Sequence, residues 1–239
     1  MSVGRPIITS DYIQQHIVGV PGAQDVIWGP LYDSQAYPSA GAAVLTFFSQ
    51  PQGSGTSSAP GAGAVAKGIW DTNLVLNNQL ALGNEFLAVG SETLFFPGVN
   101  NSTSTTGAFA LEISLAATAA LMGAFNNDIY NVGNGGVKTL KVGTDRNYIQ
   151  DGPLNLFPPA TRLSGWSAVT SGGTATSTAF PATNYAVWSG ECYSLVPIYL
   201  QSTQQFQLTI AFAALIPTPS TQIARIIERL RGYLIRQAT

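Results

Sequence analysis

Charge is what this chain has least of. Asp, Glu, Lys and Arg make up 9% of its 239 residues, against about 25% in an ordinary globular domain. Ten basic and 12 acidic side chains leave a formal net charge of −2. No basic block is present that would form a dedicated nucleic-acid surface. A near-neutral surface also promotes association. Two readings fit this composition. One is a neutral secreted β-protein with Ser/Thr/Asn loops, and the other is a subunit whose surface ends up against copies of itself.

Cysteine and histidine occur once each. A lone Cys192 excludes an internal disulfide framework, and the opening "MSVGRPIITSDY" lacks an apolar signal-peptide core. Both favour folding in a reducing cytoplasm. With His16 as the sole histidine, His-rich metal sites are excluded, and a Ser-His-Asp triad has one candidate base and no G-x-S-x-G elbow. Cys192 falls in an apolar strand, the setting of an inert buried thiol.

Phosphate-binding loops are missing too. "GAGAVAKG" (61–68) has Ala66 where Gly must precede Lys67, and "GNGGVKT" (133–139) interposes Val137 before Lys138. Both read as flexible turns. Glu85 and Glu92 are an odd number of residues apart, so a continuous strand puts them on opposite faces. Asp145, Asn147 and Asp151 lack the Gly and Glu of a calcium loop and read as a polar hairpin. The expectation is a protein that is not an enzyme, with no catalytic residue, no metal and no cofactor.

Long hydrophobic runs are short of bilayer length. "AFALEISLAATAALMGAF" (108–125) carries Glu112, Ser114 and Thr118, whereas a span needs roughly 20 apolar residues. Leu111, Leu115, Ala119 and Met122 recur at helical spacing, which predicts a helix packed on a sheet.

The rest is β. "QFQLTIAFAALI" (205–216) sets Phe206, Leu208, Ile210 and Phe212 on one face and Gln205, Gln207 and Thr209 on the other. "NYAVW" (184–188), "CYSLVPIYL" (192–200) and "AAVLTFF" (42–48) are further strands, and Pro197 makes its strand an edge or a bulge. "WDTNLVLNNQLALGNEFLAVGSETLFF" (70–96) reads as two extended runs joined through Gly83 and Asn84. Neutral Gly/Ser/Pro/Thr loops separate the strands at 49–64, 97–107 and 170–184. The first of these is expected to be flexible and open to insertion near Thr56. Near the end, "TPSTQIARIIERLRGYL" (218–234) fits a helix capped by Thr218, with Pro219 in its first turn and an Ile223/Ile226/Ile227/Leu230 stripe ending at Gly232. A terminal strand over "GYLIR" fits equally.

Several separated stretches follow one order: "FFSQPQGSG", "DTNLVLNNQLALGNEFLAVGSETLFF", "YIQDGPLNLFPPATRLSGW", "YSLVPIYLQSTQQFQLTIAF" and "RIIERLRGYLIR". Phe47-Phe48 with Pro51 and Gly53, Thr72-Asn73-Leu74 with Leu80, and Gly232 with Leu234 and Arg236 carry the pattern. In these the chain resembles the double jelly-roll major capsid proteins of tailless icosahedral, membrane-containing bacteriophages, a tectivirus- and corticovirus-like lineage. Ala81 stands where that family often has Pro, and "RQAT" replaces its Arg-Pro-Val ending.

The resemblance implies an all-β fold with a few helices: one jelly roll over 1–120 with an N-terminal arm, and another over 121–239 with a C-terminal helix or strand. It implies pseudo-hexagonal homotrimers that build an icosahedral shell after assembly in the host cytoplasm. The implied partners are other copies, minor capsid and vertex proteins and an internal lipid membrane, with no sequence-specific nucleic acid. Arg225, Arg229, Arg231 and Arg236 are the candidates to face the interior and that membrane; the alternative is that they solvate a terminal helix. Two rival functions stay open. One is a carbohydrate-binding β-sandwich using Trp28, Trp70, Trp166 and Trp188 as stacking platforms, and the other a minor vertex or spike protein.

Overall fold

Alternation builds the strands. In Phe206–Phe212, Phe206, Leu208, Ile210 and Phe212 are buried and the residues between them are not, as a period of two requires. The computed structural model describes residues 24–59, 64–98, 115–143, 146–154 and 193–237. Among these are the strands β1 (Gln24–Tyr37), β2 (Val44–Phe47) and β3 (Asn84–Phe96), then the helix α1 (Leu115–Gly135). After it come β4 (Gly136–Val142), β5 (Arg146–Pro153), β6 (Tyr193–Leu200), β7 (Phe206–Phe212) and β8 (Ala224–Gln237).

The strands form two four-stranded sheets, in the orders β1-β8-β3-β6 and β2-β7-β4-β5, and every pairing is antiparallel. Apart from the β4–β5 hairpin, the chain changes sheet at each successive strand. Leu31, Phe86 and Leu230 of the first sheet and Phe47, Leu140 and Leu208 of the second share one core. Ile129 and Val132 of α1 join it, while Asp128 accepts the Ser220 N–H at 3.0 Å. The helix expected over 108–125 is therefore present from Leu115 and runs ten residues further; 108–114 lie outside the described residues.

The described sheets do not separate at the division expected between 120 and 121. β1 pairs with β8 and β2 with β7, so each sheet takes strands from both sides of that boundary. The described strands make one eight-stranded sandwich. Three of them are long: β1 and β8 have 14 residues and β3 has 13.

Of the two readings of the C-terminal segment the structure has the strand, not the helix over 218–234: Ala224–Gln237 runs between β1 and β3, longer than the expected "GYLIR". Both of its faces are covered. Ile226 and Leu230 lie in the main core, and Ile227 and Ile235 are buried in separate clusters on the outer face. Apolar residues on both parities imitate a helical stripe. Gly232 ends nothing. It sits in mid-strand opposite Gly29 and Ala88, where an added Cβ would lie 1.9 Å from the Leu87 carbonyl oxygen. By contrast β6 is the edge strand that Pro197 required.

Gly232→Ala should destabilise the fold by about 3 kcal/mol, the upper end of overpacking costs, because a backbone atom cannot step aside. Gly29→Ala, with nothing within 4 Å of its added Cβ, should stay within about 0.5 kcal/mol. Urea denaturation of both variants measures the contrast, and equal midpoints would contradict the close approach.

Candidate functional site

The inner faces carry charge. Asp33 on β1 and Glu228 on β8 are cross-strand partners, both fully buried. Lys67 Nζ donates to Asp33 Oδ1 at 2.7 Å. The N–H groups of Ser34 and Phe48 donate to the same carboxylate at 3.0 and 2.7 Å. Phe48 adopts φ 64°, a conformation bulky residues seldom take. Its bond to Asp33 and its packing on Phe206, with ring centroids 5.4 Å apart, hold it there. Glu228 pairs with Lys138 of the opposite sheet and accepts the Thr93 hydroxyl at 2.6 Å. Burial pushes the carboxyls of Asp33 and Glu228 up, opposed by their lysines, and pulls the Lys138 amine down. Lys67 and Lys138, read from sequence as parts of flexible turns, are thus interior ion-pair partners.

A second carboxylate organises the segment before β3. Asp71 is buried and accepts from Ser57 Oγ at 2.7 Å, Ser58 N at 2.9 Å and Ser34 Oγ at 3.0 Å. Burial alone would raise its pKa, but the hydrogen bonds from Ser57 and Ser58 outweigh burial and hold it below the usual value. Thr72 bridges to Asp33. Asn73 Oδ1 accepts the Tyr32 N–H at 3.0 Å and its Nδ2 donates to the Pro30 carbonyl at 2.8 Å. β1 is an edge strand, and Asn73 supplies the partners that a neighbouring strand would. The first half of the run expected to be extended is therefore a clamp on that edge. The loop before it is tied too: Gln52 N donates to Leu74 O and Gly53 N to Lys67 O, each at 2.9 Å. The loop expected to be flexible is thus bonded on both sides of Thr56, which is itself exposed.

The four arginines lie on β8, and on a strand three of them share the outer face. Arg229 and Arg231 both bond Glu92 of β3, at 3.3 and 2.8 Å. Arg225 lies 3.5 Å from Asp71 and donates to Ser34, Ser58 and the Trp70 carbonyl. Arg236 pairs with Asp25, both half exposed. The register shift between Ala88 and Gly90 inserts one residue and brings Glu92 to the same face as Glu85, where a continuous strand would have separated them. Beside Arg225, Arg229 and Glu92 lies an outer groove of about 550 Å3, with Trp28, Tyr32 and Trp70 also lining it.

His16, Cys192, Trp166 and Trp188 lie outside the described residues, as do the strand expected at 184–188 and the loop at 170–184. Among the described residues no three acidic, His or Cys side chains group to hold a metal, and no helix is long and apolar enough to cross a membrane. Comparison with protein families, curated proteins and solved structures finds no match for this chain.

Asp71 predicts a pH dependence. An acid whose pKa is lowered by folding contributes stability in full above its unfolded value, here 3.8, and loses it as pH falls through the folded value. Asp71→Asn should cost about 1–3 kcal/mol at pH 7. The gap between wild type and variant should narrow below pH 3.8. Thermal unfolding across pH measures it, and a gap that stays constant down to the lowest pH would contradict this role.

Proposed function

We propose that this chain is a structural subunit that self-associates into a shell, a capsid protein built on a single jelly roll. The observation that carries the reading is where its charges lie. Among the described residues, seven charged side chains are buried: Asp33, Lys67, Asp71, Glu92, Asp128, Lys138 and Glu228. They come from only 10 basic and 12 acidic side chains in all. A chain this poor in charge thus commits about a third of it to the interior, which leaves that much less charge to oppose contact between copies.

The outside is also apolar. Leu82, Trp70, Leu215, Val75 and Val44 are among the large hydrophobic residues left exposed. Single exposed hydrophobic residues are ordinary, but with little charge between them they favour contact with other copies. The strand order β1-β8-β3-β6 facing β2-β7-β4-β5 supports the jelly-roll reading, an architecture common in viral shells.

The sequence resemblance to phage capsid proteins supports the shell role, and the pairing of the described strands favours one sandwich per chain over the duplicated fold. With one sandwich per chain, a pseudo-hexagonal tile takes six copies, where the duplicated family takes three. Minor capsid and vertex proteins are the further partners this reading carries. A lipid surface takes less support, because Arg225, Arg229 and Arg231 are largely covered and engaged with Asp71 and Glu92.

Light scattering on the size-exclusion peak tests the proposal. The expected mass is a trimer or larger multiple of 25.0 kDa, growing to particles at high concentration. A single 25.0 kDa species at every concentration would overturn it.

A further inference from the structure

We propose that the outer groove over β1 and β8 binds a neutral sugar chain, a function independent of assembly. Two indoles stand at its rim in contact with solvent, Trp28 at 55% and Trp70 at 75% exposure. Neither is loose. Trp28 packs edge-on against Tyr233, with ring centroids 4.9 Å apart. Trp70 is held through its carbonyl by Arg225, and the Ile69 carbonyl before it accepts the Tyr32 hydroxyl. A flat, exposed aromatic face suits the apolar C–H face of a pyranose ring.

The floor supplies the polar half. Arg225, Arg229 and Arg231 are each fixed by a buried carboxylate, Asp71 or Glu92, so their directions are set before any ligand arrives. Sugar hydroxyls can accept from the guanidinium N–H groups, which retain 14–20% side-chain exposure. At about 550 Å3 the groove falls within the usual range for small-ligand sites, roughly 300–1,000 Å3.

The same lattice argues against a polyanion. Single-stranded nucleic acid also stacks on aromatic side chains, but it needs a groove of net positive charge. Here Glu92 and Asp71 lie among the arginines and offset most of their charge.

The test uses the whole chain on an array of unmodified neutral oligosaccharides of glucose, galactose, mannose and N-acetylhexosamines, with a dT20 oligonucleotide as the anionic probe. Binding to at least one neutral glycan class is expected, with quenching or a shift of tryptophan fluorescence. Trp70→Ala should weaken that binding at least tenfold while leaving the melting temperature unchanged. Trp28→Phe should weaken it less than Trp70→Ala does. Binding to no neutral glycan, binding to dT20 alone, or glycan binding unchanged in both variants would each overturn the proposal. Loss of self-association in Trp70→Ala, with no glycan bound by the wild type, would also overturn it and assign the groove to a contact between copies. A monomeric wild type that binds glycan would leave this site standing and remove only the shell reading.

Discussion

Two buried ion pairs, side by side on the inner face of one sheet, hold the separate parts of this sandwich in register. Asp33 and Glu228 face each other across β1 and β8, and each is matched by a lysine from elsewhere in the chain. Lys67 brings in the segment that covers the β1 edge, and Lys138 brings in the opposite sheet. Such pairs add little net stability compared with apolar residues of the same shape. Removing one partner, however, leaves a stranded charge and costs about 3–5 kcal/mol. Their effect is to penalise every arrangement in which the lysines do not arrive. Asp33 extends this control to Phe48, whose unusual backbone conformation it holds, and through Thr72 to the clamp built by Asp71 and Asn73.

The scarcity of charge follows from the same arrangement. Charges used to fix the interior and to pin the strand edge are not on the surface. Among the described residues the surface presents several large apolar side chains and a groove whose arginines are already engaged. Asp71 serves both the clamp on the β1 edge and the groove, where it and Glu92 position the guanidinium groups of the lining.

Much of the β content was legible in sequence where one face of a strand meets the core and the other does not. The alternation of β7 and the edge position of β6, read from Pro197, are of this kind. β8 was not, because Ile226 and Leu230 are covered on one side and Ile227 and Ile235 on the other. A strand buried on both faces loses the alternation that identifies it. Glu85 and Glu92 were assigned to opposite faces because a bulge between them leaves no local signature. Lys67 and Lys138 carried little signal, since the carboxylates that match them are 34 and 90 residues away in the chain. The two tryptophans of the groove were named as stacking candidates from residue type alone, and the fold brings Trp28 and Trp70 to one groove across the β1 edge.

The most direct measurement is a double-mutant cycle on Lys138 and Glu228, read by urea denaturation. Lys138→Met and Glu228→Leu should each cost about 3–5 kcal/mol, and the double variant should recover most of that loss. Single variants that cost under about 1 kcal/mol, or a double variant whose loss equals the sum of the two, would contradict the control of this fold by its buried charges.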